Sequence, residues 1–127
     1  MVEPPIHETK VLKTVFEYHR MITWHQKIRP VLVYAKGKLY DDLKKLEGIE
    51  EVTENMNFDA LRNMGEKKGN IYPTYLTDEK GMRGHDYRNP GQFKGITLII
   101  GASFNDKRDR IQGLMRVGRH GDDCYRI

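Results

Sequence analysis

The chain has 127 residues, 38% hydrophobic and 31% charged, which suits one globular domain with a modest core. No apolar run reaches membrane-spanning length, and the N-terminal MVEPPIHETK lacks the basic-then-apolar order of a secretory signal, so an intracellular location, cytoplasmic or nuclear, is expected. The net charge of +4 is uneven: residues 1–79 carry 12 Lys+Arg against 13 Asp+Glu, and residues 80–127 carry 10 against 5, so the positive field that a phosphate or nucleic-acid surface needs lies at the C-terminal end.

The elements follow in order. The first ten residues, with two prolines, read as an arm. Glu8 to Lys27 has helical periodicity, with Val11, Val15, Tyr18, Ile22 and His25 or Trp24 at spacings of three and four. Tyr18 and Trp24 are expected in the core rather than as a platform for stacked bases. Val31–Ala35 is a continuous apolar run bounded by Pro30 and Gly37, as in a strand covered on both faces. GKLYDDLKKLEG then forms a helix with a Leu39, Leu43, Leu46 stripe and Gly48 as its stop. IEEV is a short strand. NFDALRNMGEKKGN is a helix that Asn57 can cap. IYPTYLT is a strand that Pro73 should confine to an edge or to an irregular start. GMRGHDYRNPGQFKG is too rich in glycine and polar residues for regular structure. ITLIIGAS is a buried strand, Asp106 opens a last helix, and CYRI is a terminal strand.

Strand and helix alternate, which argues for parallel βαβ units: an α/β fold, an open and mostly parallel sheet of five or six strands with helices on both faces. Its ligands belong at the carboxyl ends of the strands. Residues 1–28 form an N-terminal arm and helix, and residues 29–127 the main lobe.

The stretch RIQGLMRVGRHGDD places Gln112, Arg116 and Arg119 at i, i+4 and i+7, one face of a helix that Gly118 and Gly121 end. Two guanidinium groups and an amide on one face suit phosphate, because arginine stays charged and forks onto two oxygens. A plain solvated face is the competing reading. The single cysteine, Cys124, excludes an internal disulfide and a cysteine-rich zinc site, and the five histidines, His85 and His120 among them, show no metal-ligand spacing, so no metal site is expected.

From Arg29 to Ile127 the chain resembles the second, RecA-like lobe of superfamily 2 helicases. VLVYAKGKLYDDLKKL resembles motif IV, and LRNMGEKKGNIYPTYLTDEKGMRGHD resembles the helix, strand and motif V that follow, with RGHD where many members carry Arg-Gly-x-Asp. ITLIIGASFNDKRDRIQGLMRVGR resembles a strand and motif VI, with Met115 where the pattern often has glycine. The resemblance implies that Arg116 and Arg119 are the arginine pair facing the γ-phosphate of ATP, with Gln112 orienting it. It implies that Asp86 accepts from the nucleotide ribose, that Gly84 lets the backbone approach the nucleotide, and that Lys36, Gly37 and Thr77 face nucleic-acid phosphates.

No G-x-x-x-x-G-K-[ST] loop occurs, and the one Gly-Lys, Gly37-Lys38, is followed by Leu39. ATP and Mg2+ are therefore expected only in a two-lobed assembly, and this chain alone should not hydrolyse ATP. The expected partners are single-stranded RNA or DNA and a first RecA-like lobe, in cis or in trans. A non-enzymatic, helicase-derived module that binds nucleic acid or a protein is the alternative. An unrelated phosphate-handling enzyme ranks last, since no nucleophile or acid–base pair is evident.

Overall fold

The computed structural model describes residues 12–53, 69–84, 87, 95–102 and 124–126. In chain order these hold α1 (Val15–His25), β1 (Val31–Tyr34), α2 (Gly37–Leu43), β2 (Ile49–Glu51), β3 (Thr74–Thr77), α3 (Glu79–Gly84), β4 (Ile96–Ile100) and β5 (Cys124–Arg126). The five strands form one sheet in the order β2-β3-β1-β4-β5, and every neighbouring pair is parallel. This is the open, parallel α/β architecture expected from the alternation of elements.

The sequence of β1 explains its place. Val31, Leu32, Val33 and Tyr34 are all buried, as is Ala35 beyond them, so the strand needs cover on both faces and takes the centre of the sheet. One face presents Val31, Val33, Leu76 and Ile99 to Tyr18 and Ile22 of α1 and Leu43 of α2. The other presents Leu32, Tyr34, Tyr75, Ile96 and Leu98 to Met82 of α3 and to Tyr87. Helices thus cover both faces. The outermost strands of the sheet, β2 and β5, have three residues each, and Glu50 and Glu51 are exposed on β2, which limits pairing with other chains.

Helix α1 starts later than its periodicity suggests. The Thr14 hydroxyl accepts from the Glu17 amide at 3.2 Å, and Glu17 accepts from the Lys13 amide at 3.2 Å. Thr-x-x-Glu is a capping pattern legible in the sequence, and Leu12 and Lys13 lie outside the helix. Trp24 is 60% exposed, contrary to its expected place in the core, while Tyr18, Ile22 and His25 are buried. Adjacent helix positions point about 100° apart, so 24 and 25 cannot both face the sheet. The sheet opposite is polar at that point: Thr97 Oγ1 lies 3.2 Å from His25 Nδ1 and accepts from Arg29 at 3.4 Å. A histidine meets that hydroxyl where an indole would be a poorer partner. Thr74 donates to Gln26 Oε1 at 3.4 Å, and Gln26 O accepts from the Tyr72 amide at 2.8 Å, tying the same end of α1 to the start of β3.

Two further expectations are corrected or refined. The segment from Gly81 to Gly84, read as irregular, belongs to α3. The Asp78 carboxylate accepts from the Gly81 amide at 3.0 Å and so caps the helix start, while Met82 buries on the sheet; these outweigh two glycines. β3 is an interior strand, so Pro73 marks an irregular start rather than an edge; its carbonyl accepts from Val31 at 3.1 Å. The expected helices in 54–68 and after Asp106 lie outside the described residues.

Replacing Ile22 by Ala should lower unfolding free energy by about 2–5 kcal/mol. Replacing Trp24 by Ala should change it by less than about 0.5 kcal/mol. Urea titrations of both variants check this, and a large loss at Trp24 would contradict the exposed placement.

Candidate functional site

Parallel strands put all their carboxyl ends on one edge, and the ladder continues past the strand ends there. Val52 N donates to Leu76 O (2.8 Å), Ala35 N to Thr77 O (3.0 Å) and Gly101 N to Tyr34 O (2.7 Å). The loops leaving β1, β3 and β4 therefore emerge side by side: Lys36–Gly37, Thr77–Asp78 and Gly101–Ala102. Lys36–Gly37 and Thr77–Asp78 lie in the runs that resemble motifs IV and V, and Gly101–Ala102 end the strand that precedes the run resembling motif VI.

The β1 loop turns sharply. Lys36 is the exposed, extended residue before α2, and Gly37 follows with φ +66°, a conformation that side chains other than glycine rarely adopt. The exposed Lys36 and the open backbone at Gly37 are what this loop offers a ligand. On α2 the Tyr40 hydroxyl donates to Glu51 Oε1 at 2.8 Å, joining the helix to the neighbouring strand end. Burial, and then this carboxylate, push the Tyr40 phenol well above its usual range.

The β3 loop is held by a buried knot. Tyr87 Oη lies 2.8 Å from Gly81 O, to which it donates, and 3.2 Å from Thr77 Oγ1. Thr77 Oγ1 also lies 3.3 Å from Asp78 O. Gly81 is close enough to Thr77 that a Cβ there would collide with the threonine hydroxyl. Burial raises the Tyr87 phenol far above its ordinary value, with the Asp78 charge adding to the effect and the Thr77 hydrogen bond opposing it.

Thr77 is thus fully buried, its hydroxyl turned inward rather than toward a surface phosphate. Its role in this arrangement is to fix the turn into α3, of which Gly84 is the last residue. Asp78, which could be taken with Glu79 for a metal-binding acid pair, caps α3 instead. Among the described residues no group of three or more His, Cys, Asp and Glu could hold a metal ion. Asp86, Gln112, Arg116 and Arg119 lie outside the described residues; in sequence, the last three belong to the segment joining β4 to β5. Sequence reasoning missed Tyr87, whose signal was an aromatic residue in a largely polar, glycine-rich stretch.

The chain matches no protein-family model and no curated protein. The class of protein that the fold defines is an open α/β domain with a parallel sheet. Among the described residues no helix is long and apolar enough to cross a membrane.

The knot has a pH signature. A phenol held neutral in the folded state contributes stability that is present below its unfolded pKa of 10.0 and is lost as pH rises through the raised folded value. Stability should therefore fall above about pH 10. Tyr87→Phe should cost about 1–3 kcal/mol at neutral pH, because the Gly81 carbonyl is left buried without its phenol, and should reduce the alkaline loss. Gly81→Ala should also destabilise, by about 1–3 kcal/mol, because a β-branched neighbour cannot move aside. Denaturant titrations across this pH range check both; an alkaline limb unchanged in Tyr87→Phe would contradict the first.

Proposed function

We propose that this chain is the second motor lobe of a nucleic-acid-dependent ATPase of the superfamily 2 helicase type, acting inside the cell. The observation that supports it most is that the strands leading into the three motif-like runs, β1, β3 and β4, are adjacent and end together on the carboxyl edge of one parallel sheet. A ligand shared by motifs IV, V and VI needs that adjacency, and the strand order β3-β1-β4 supplies it.

In this reading the lobe completes a site that a first RecA-like lobe begins. That partner carries the phosphate loop and holds ATP with Mg2+, whose hydrolysis opens and closes the cleft between lobes. Arg116 and Arg119 approach the γ-phosphate as the cleft closes, and Gln112 orients the group they meet. Phosphoryl transfer asks a protein mainly to position groups and spread charge, which is what a pair of guanidinium groups does. Asp86 takes the ribose, and Gly84 leaves room beside it. Lys36 and the backbone at Gly37 meet the phosphates of single-stranded nucleic acid, while Thr77 shapes the adjoining turn from within. Contacts of this kind are made to the strand's backbone, so they carry little sequence preference and weaken steeply with salt.

Steady-state ATP hydrolysis tests the reading. The purified chain alone should show none. Combined with a matching first lobe it should turn over ATP when nucleic acid is present. Arg116→Ala or Arg119→Ala should then lower kcat by orders of magnitude, up to about 10³–10⁵, with stability unchanged. Lysine at either position should rescue poorly, since an ammonium cannot fork onto two oxygens. Asp86→Ala should act mainly by raising KM for ATP. Full turnover in both arginine variants would remove the motor reading and leave the non-enzymatic binding module.

A further inference from the structure

Helix α1 has a second face that stands outside the core formed by the described residues. Phe16 and Trp24 stand there 68% and 60% exposed. Between them is exposed Arg20, and exposed Lys27 follows in the turn after the helix. Positions 16, 20 and 24 repeat at i and i+4, so they form a row along the helix. The two aromatic side chains stand about 12 Å apart along the axis.

The Arg20 guanidinium carbon lies 5.9 Å from the centre of the Phe16 ring, and Trp24 meets the His25 ring edge-on at 4.9 Å. The charge of the region is one-sided. From Leu12 to Pro30 the basic residues are Lys13, Arg20, Lys27 and Arg29, and the only acid is Glu17, whose carboxylate accepts from the Lys13 amide.

An apolar helix face of leucines and methionines would suit a protein groove. Here large flat rings alternate with cations along a row with no acid between Glu17 and Pro30. That pattern complements a polyanion whose bases have apolar faces. The helix also leads to the proposed track. Its C-terminal end meets the strand starts at Thr97 and Thr74. Tyr18, near its other end, would lie 3.2 Å from a Cβ at Gly101, on the carboxyl edge.

We propose that the outer face of α1 binds single-stranded nucleic acid, with bases stacked on Phe16 and Trp24 and phosphates paired with Arg20 and Lys27. The site lies outside the segments that resemble helicase motifs. It requires neither ATP nor a first lobe, and would serve a motor lobe or a binding module alike.

Trp24 is the only tryptophan of the chain, so its emission reports on this face directly. The test titrates the whole chain with an oligothymidylate of about 20 nucleotides, following Trp24 fluorescence and, with a labelled strand, anisotropy. Binding should quench the tryptophan saturably and weaken between about 50 and 200 mM salt. Trp24→Ala and Phe16→Ala should each weaken binding by about tenfold, with circular dichroism unchanged, and Trp24→Phe should restore most of it. Arg20→Gln and Lys27→Gln should each lower the salt slope by about one.

Lys36→Gln, in parallel, separates this site from the carboxyl edge. Loss of binding there with full binding in the α1 variants would overturn the α1 site and keep the edge. The reverse result would support α1 and count against the edge. Binding without tryptophan quenching, no binding at low salt, or a tryptophan that becomes buried as protein concentration alone rises would each overturn the proposal, the last by showing that this face meets another copy of the chain.

Discussion

Complete burial of β1 is the constraint on which the rest depends. A four-residue strand with no exposed side chain cannot sit at an edge or carry cover on one face only. It must pair on both sides, which it does with β3 and β4, and it must be sandwiched, which α1 and α2 do on one face and α3 with Tyr87 on the other. Each fully buried aliphatic side chain contributes roughly 1.5–3 kcal/mol, so this strand and its neighbours outweigh any local preference of the loops. The shared register also brings the three strands to an end at nearly the same level: Tyr34 stands opposite both Thr77 and Ile100.

That level edge is where energetics passes into function. A loop leaving a short interior strand has few contacts of its own to hold it. The β3 loop solves this by burying hydroxyls: Thr77, Tyr87 and the Gly81 carbonyl satisfy one another beneath the surface, and Asp78 caps the helix above them. Lys36 and the Gly37 backbone are exposed on the neighbouring loop of the same edge.

Helix α1 joins these themes. Its inner face completes the core, and at its C-terminal end a buried polar pair with Thr97 and a half-buried one with Thr74 replace apolar contact. These pairs set the rotation of the helix about its axis, because a turn of one residue would bury Trp24 against a hydroxyl and strand His25 in solvent. The same rotation puts Phe16, Arg20 and Trp24 outward. A structural requirement at the start of β4 therefore decides which side chains of α1 the protein exposes.

The alternation of strand and helix, the two-sided burial of VLVYA and ITLII, and the short strands at IEEV and CYRI were legible in the sequence because they rest on composition and period. So, in retrospect, was the start of α1, since Thr-x-x-Glu is a local capping signal. The motif-like runs were legible as well, though only as a resemblance. Other features were not legible, because they depend on residues far apart in the chain. Whether Trp24 or His25 faces the sheet depends on Thr97, more than seventy residues away. That Thr77 lies inside, and that a glycine-rich run becomes a helix, depends on Tyr87 and on the sheet surface that receives Met82. Periodicity names the face of a helix to within a residue or so, and composition names what wants burial. Only the tertiary contact, through a hydrogen bond that must be satisfied away from water, chooses between neighbours, and here that choice turned a supposed core aromatic into an exposed one.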